Sequence, residues 1–147
     1  MLVVSWIGIM TCGALAQNPS DADKRAVNEL SGEMLECSVY FLISATCLQG
    51  NPDPRIPQLT KSLNEQASKI GGLAISTGQK VGVTVEAQTA RSKLMRDDMM
   101  KLLNNNCTNI ATLLEKYTNF CKQLTENADP RLAELLQGKK CTGSYKC

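Results

Sequence analysis

Cysteine is the residue type through which this chain could do most of its chemistry. Cys12 lies in an apolar N-terminal stretch, and six more cysteines follow it. An even number of cysteines in an exported protein indicates disulfide pairing. We therefore predict three disulfides among these six: Cys37, Cys47, Cys107, Cys121, Cys141 and Cys147. A structural zinc site is not expected, because zinc ligands cluster closely and the chain contains no histidine.

The other reactive side chains form no arrangement typical of an active site. Histidine, the commonest general base, is absent, and the serines and lysines match neither G-x-S-x-G nor S-x-x-K. Asp97 and Asp98 are adjacent, so on a helix their carboxylates point about 100° apart and are poorly placed to share a substrate. We predict no catalytic residues, no cofactor and no enzymatic activity.

Three methionines at helical spacing offer soft sulfur ligands: Met95, Met99 and Met100. Thioethers bind Cu(I) in exported proteins. A methionine stripe on an amphipathic helix is more often part of the core, because the flexible side chain fills irregular gaps. We therefore predict core packing for these residues and no metal site.

Residues 1–16 have the character of a secretory signal peptide. They carry no charge and end in Ala14, Leu15 and Ala16, a small-x-small pattern that precedes polar residues. The alternatives are a buried N-terminal helix or a lipoprotein signal at Cys12, and the run is shorter than the ~20 residues that a membrane-spanning helix needs. We expect cleavage after Ala16, an extracytoplasmic location (the periplasm or the medium for a bacterial source) and no stable membrane anchor.

Length and composition predict one domain, residues 17–147, with a cysteine-bearing tail at its C-terminal end. A chain of 147 residues is long enough for one core and short for two. Its formal net charge of +2 creates no strong electrostatic field. Nucleic acid and anionic membranes are therefore not expected as partners.

The most apolar segment after the leader is predicted to be a long central helix from Asp21 to Leu48. Ser20 and the acids after it suit a helix start, and Gly50 followed by Pro52 suits its end. Apolar residues recur at three- and four-residue steps, which predicts this buried stripe: Leu30, Met34, Cys37, Phe41, Ala45 and Leu48.

Two further helices follow from similar signals. Pro57 suits the first turn of a second helix, and its predicted stripe is Leu59, Leu63, Ala67, Ile70, Leu73 and Ala74. Gly71 and Gly72 interrupt it, which favours the close approach of another helix over a hinge. After a break at residues 78–82, Thr84 is expected to cap a third helix that begins at Val85.

Residues 85–124 are predicted to form either one rod or two helices. The apolar positions from Met99 to Leu124 keep one helical phase, which favours a rod. Residues 104–109 are poor helix formers and favour a break with a new cap at Thr108 or Asn109. We prefer the break, which gives an all-α up-down-up-down bundle of three to four helices, followed by a short helical turn after Asp129.

The cysteine positions support the broken arrangement. At 1.5 Å per residue, Cys37 lies about 15 Å below Cys47, and Cys121 about 21 Å below Cys107. Nested bridges Cys47–Cys107 and Cys37–Cys121 then nearly fit. The remaining mismatch of ~6 Å exceeds what disulfide geometry absorbs, unless Cys107 lies in the turn rather than on the helix. An unbroken rod would bring only Cys47 and Cys107 to the same level.

The sequence favours binding over catalysis without identifying a ligand. We expect a small exported module that binds another protein in a structural or inhibitory role. The alternative is a carrier of an apolar small molecule, in a cavity where residues 39–43 face Gly71 and Gly72. Few aromatic residues are available to line such a cavity, since residues 17–147 contain two phenylalanines, three tyrosines and no tryptophan.

Intact-mass analysis of the exported protein checks the leader and the oxidation state together. We expect a chain that begins at Gln17 and has no free thiol, because all six remaining cysteines are predicted to be paired. A mature chain that retains Met1, or one with six free thiols, would count against export with oxidative folding.

Overall fold

The structure is a computed structural model that describes residues 19–138, and it confirms the all-α class. Five helices follow one another: α1 (Asp21–Leu48), α2 (Ile56–Gln79), α3 (Val85–Leu102), α4 (Ala111–Glu126) and α5 (Asp129–Leu136). A 3-10 turn, Cys107–Asn109, connects α3 to α4, and no strand occurs in the described range. The predicted leader, residues 1–16, and the predicted pairing of Cys141 and Cys147 lie outside the described residues.

Helix α1 has the predicted bounds because both ends carry strong local signals. The Ser20 side chain accepts from the Asp23 amide at 3.2 Å, while the Asp23 carboxylate accepts from the Ser20 amide at 3.0 Å. This reciprocal pair satisfies two amide donors that a helix start leaves open. At the other end Gly50 adopts a left-handed φ of +86°, which costs glycine little.

Helix α1 is the centre of the bundle, and its apolar residues are buried in several directions. Of the predicted stripe, Leu48 is half-buried and the other members are buried. Residues 39–43 are also buried, except that Leu42 is exposed. Burial around so much of its circumference requires several neighbours, and α2, α3, α4 and α5 all contact α1.

Small side chains join α1 and α2 as a close antiparallel pair. The Ser31 hydroxyl donates to the Ala74 carbonyl at 2.8 Å, and the Ser38 hydroxyl donates to the Ala67 carbonyl at 2.9 Å. The partners shift by seven residues on each helix in opposite directions, so the two helices run antiparallel in one register. Serine and alanine at these positions let the backbones approach closely enough for hydroxyl-to-carbonyl hydrogen bonds.

The predicted stripe on α2 is only partly correct. Ala67, Ile70 and Ala74 are buried, but Leu59 and Leu73 are exposed. The reason is that α1 packs on the small residues of α2, which turns these two leucines away from the contact. The expected break at residues 78–82 also begins later, because Gly78 is still helical and is buried beside Ser31 and Gln88.

The chain breaks between α3 and α4, so the two-helix alternative is confirmed. Asn104 and Asn105 adopt left-handed φ values of 53° and 54°, a conformation that asparagine tolerates better than most residues. The predicted cap at Thr108 or Asn109 is wrong: the Asn106 side chain instead accepts from the Thr108 amide at 3.0 Å and opens the 3-10 turn.

Both nested disulfides form between α1 and the second half of the chain. Cys37–Cys121 and Cys47–Cys107 have Cα–Cα distances of 5.3 and 5.0 Å, within the usual range. The ~6 Å difference in helical rise disappears because Cys107 lies in the 3-10 turn rather than on α4. Four of the six predicted disulfide cysteines are thus paired in the described residues.

Helix α5 is fixed to α1 by a buried ion pair that the sequence did not reveal. Arg131 donates to both carboxylate oxygens of Glu33, from Nε at 2.8 Å and from Nη2 at 2.5 Å, and from Nη1 to Glu134 at 3.1 Å. These hydrogen bonds, first those to Glu33, raise the pKa of Arg131 above its already high value. Leu135 is buried and Leu136 is exposed, so α5 covers the bundle with one side only.

The two adjacent glycines of α2 are expected to respond differently to alanine. A Cβ at Gly71 would lie 2.7 Å from the Ser38 hydroxyl oxygen, whereas a Cβ at Gly72 would meet nothing within 4 Å. Gly72→Ala should raise the free energy of unfolding by about 1 kcal/mol through helix propensity. Gly71→Ala has the same propensity gain, but displacing the hydroxyl from the Ala67 carbonyl costs about 1–3 kcal/mol, so this variant should be less stable than Gly72→Ala.

Chemical denaturation followed by circular dichroism measures both variants under the same conditions. Equal stabilisation by the two substitutions would contradict the close approach of α1 and α2 at Gly71.

Candidate functional site

A groove of about 540 Å³ lies between α1 and α3 and is open to solvent. Apolar side chains from both helices form its floor, and the half-buried Cys47–Cys107 disulfide closes one end. We call it the α1–α3 groove. The residues that line it are Val39, Leu42, Ile43, Thr46, Cys47, Thr89, Ser92, Lys93, Arg96, Met100 and Cys107.

The groove exists because α3 fully buries only two side chains, one near each end of the helix. Gln88 and Met99 are the buried residues of α3, and Leu103 is buried just after it. Near the first end, Gln88 Nε2 donates to the Ile75 carbonyl at 3.2 Å. Between Gln88 and Met99, Met95 packs against the core. The lining side chains Ser92, Lys93 and Arg96 are polar or charged and leave the space beside α1 unfilled.

The spacing of the α3 residues sets the chemistry of one wall. Thr89, Lys93, Arg96 and Met100 follow a four-three-four step, so they share one face of the helix. Two of the four are cations, and no carboxylate is among the lining residues. The groove therefore combines a positively charged wall with an apolar floor.

Leu42 is the floor residue that folding leaves in contact with water. Its side chain is 47% exposed, while its neighbour Ile43 is 5% exposed and belongs to the core. A single exposed leucine is ordinary on a protein surface. This one differs because it lies in a concave surface beside Val39, Met100 and the disulfide, a surface that a ligand could cover.

The opening is on a different side of α1 from the one that the sequence suggested. Residues 39–43 were expected to face Gly71 and Gly72 across a cavity. Instead the Ser38 hydroxyl sits against Gly71, which closes that side. The same apolar segment borders open space toward α3, where the side chains are longer and charged.

A second concave surface of about 650 Å³ lies between α4 and α5. Its charged lining residues are Glu115, Lys116, Glu126, Arg131 and Glu134. Arg131 is already held by Glu33 and Glu134, and the other four are at exposed or half-buried positions. Phe120 and Leu124 also line it, but its charged lining mixes cations with carboxylates, so we regard it as the weaker candidate.

The methionines and the acidic pair of α3 form no reactive site in the described residues. Met99 is in the core, and Met95 and Met100 pack against it. In the part of the chain that the structure describes, no group of three or more His, Cys, Asp or Glu side chains could hold a metal ion. Asp98 forms an exposed ion pair with Lys101 at 2.9 Å.

Tyr117 is a buried hydroxyl that acts as a neutral donor. Its Oη donates to Glu36 Oε1 at 2.9 Å, and its ring stacks on Tyr40 with centroids 5.6 Å apart. Burial, together with the nearby Glu36 carboxylate, raises the pKa of Tyr117 well above its usual value. The group therefore stays protonated and connects α4 to α1.

The comparisons with known proteins supply no family or function. No family model, curated protein or solved structure matches this chain. Among the helices that the structure describes, none is long and apolar enough to cross a bilayer. The α1–α3 groove is therefore the feature from which a function can be inferred.

Two neighbouring residues of α1 test whether the groove floor is dispensable for folding. Ile43→Ala should lower the free energy of unfolding by about 2–4 kcal/mol, because it removes buried methyl groups and leaves a cavity. Leu42→Ala should change it by less than about 1 kcal/mol, because half of that side chain is already in water. Urea denaturation of the two variants gives the comparison, and equal losses would mean that Leu42 is a core residue.

Proposed function

We propose that this protein is an exported, non-catalytic module that binds another protein through the α1–α3 groove. The observation that carries the proposal is the exposed Leu42 on the apolar floor of an open groove. Burying that floor against a partner would remove apolar surface from water at about 25 cal/mol per Å². The folded protein leaves this floor exposed, so a bound partner can gain free energy by covering it.

The openness of the groove favours a protein over a small molecule. Small-molecule pockets bury 70–90% or more of their ligand, usually against aromatic and aliphatic side chains. The α1–α3 groove is open to solvent and has no aromatic residue in its lining. A protein segment tolerates such a site because its remaining surface can stay in water or contact the rest of its own fold.

The proposed location outside the cytoplasm is supported by the two disulfides. Structural disulfides persist in oxidising compartments and are rare in the cytosol. Cys37–Cys121 is fully buried in the core and closes a loop with a sequence separation of 84. The uncharged segment of residues 1–16 is consistent with an export signal.

The carrier remains the second candidate because of the groove volume. At about 540 Å³ it falls within the 300–1,000 Å³ typical of small-molecule sites. A carrier would need the ligand to be covered, and the described residues leave one side of the groove open. We therefore place protein binding first.

Affinity capture from the exported fraction of the source organism tests the proposal with three baits. Wild type and Leu94→Asp should recover the same stoichiometric partner, because Leu94 is 66% exposed on α3 and is not a lining residue of the groove. Leu42→Asp should lose it, because a carboxylate on the floor opposes apolar burial. Recovery by all three baits would contradict the assigned surface.

Recovery of no partner by wild type, with a lipid retained in native mass spectrometry, would instead support the carrier.

A further inference from the structure

We propose that the segment bound in the α1–α3 groove is an acidic amphipathic helix of the partner protein. This inference rests on the proposed function and specifies the chemistry of the ligand. It follows from the groove's dimensions, from its apolar floor and from the charge on its α3 wall.

The dimensions of the groove fit two to three turns of helix. The lining residues of α1 extend from Val39 to Cys47, and those of α3 from Thr89 to Met100. At 1.5 Å per residue these spans are about 12 and 16 Å. Helices that bind in grooves use apolar anchors at positions i, i+3 or i+4 and i+7, and i to i+7 covers about 10 Å.

The floor accepts the apolar anchors of such a helix. Val39, Leu42 and Ile43 supply aliphatic surface, and Met100 faces them from α3. The methionine thioether side chain is flexible and polarisable, so it adapts to leucine-sized or methionine-sized groups. The half-buried disulfide at the end limits how far the bound segment can extend.

The wall requires negative charge on the bound segment. Lys93 and Arg96 lie three residues apart, one helical turn along α3. Neither forms an ion pair with any residue in the described range. Nearby on the same helix, Lys101 does have a partner in Asp98. Two unpaired cations beside an apolar floor match a helix that carries Glu or Asp along the edge of its apolar face.

The same charges argue against the protein's own C-terminal segment as the occupant. Residues 139–147 contain three lysines and no acidic residue, and like charges across an interface are unfavourable. The uncharged residues 1–16 could cover the floor but offer no anion to the wall. Neither segment satisfies both surfaces.

Three labelled helical peptides test the inference by fluorescence anisotropy with the oxidised, exported protein. The first has leucines at i, i+4 and i+7 with flanking glutamates, the second has lysines in place of the glutamates, and the third has alanines in place of the leucines. We expect the first to bind at least about tenfold more tightly than the other two, and its affinity to fall as salt rises.

Charge-reversal variants locate the site. Lys93→Glu/Arg96→Glu should weaken binding of the acidic peptide about tenfold or more and strengthen binding of the basic one. Lys69→Glu/Lys80→Glu is the matched control, because it changes the net charge equally at exposed positions outside the groove. The control should leave both affinities within about twofold of wild type.

Equal binding of the acidic and basic peptides, or equal effects of the two double variants, would overturn the inference. A second outcome would also overturn it: the acidic peptide does not bind, but a fluorescent fatty acid binds to wild type and not to Leu42→Asp. The groove would then be the ligand site of a carrier. If capture depends on Leu42 but the acidic peptide does not bind, the chosen ligand is wrong and protein binding stands. If capture also fails, both proposals fall.

Discussion

Two disulfides between α1 and the second half of the chain are the constraint on which the rest of the structure depends. Helices α1 and α2 pack closely along a stretch of small residues. Helix α3, in contrast, buries only Gln88 and Met99. On the chain-entropy model each bridge closes a long loop and contributes about 4 kcal/mol. Cys37–Cys121 holds α4 in the core, and Cys47–Cys107 holds the turn after α3.

The groove is a consequence of the light packing of α3 compared with that of α2. Because α3 fully buries only Gln88 and Met99, Lys93 and Arg96 can occupy positions beside Leu42 and Ile43. A more tightly packed α3 would need leucine or isoleucine there and would fill the space. Because α3 packs lightly, it depends on the Cys47–Cys107 disulfide to stay in place. The same light packing leaves a groove with a charged wall and an apolar floor, which a partner can bind.

The sequence predicted those features that local chemistry or simple geometry determines. Ser20, Asp23 and Gly50 are sufficient to place α1. A rise of 1.5 Å per residue pairs Cys37 with Cys121 once the chain breaks before α4 and Cys107 lies in the turn. The Arg131–Glu33 ion pair joins residues 98 apart, and no periodicity identifies such partners.

The groove was missed for a related reason. Apolar spacing marked residues 39–43 and the leucines of α2, but which neighbour approaches closely depends on side-chain size across the contact. The hydroxyl of Ser38 against Gly71 closes one side of α1, and the longer side chains of α3 leave the other side open. Amide hydrogen exchange of wild type and Cys47→Ala/Cys107→Ala tests this account most directly. We expect amide exchange along α3 to be at least about tenfold faster in the variant, while exchange along α2 stays unchanged. Equal protection of α3 in both proteins would contradict the dependence of α3 on the disulfide.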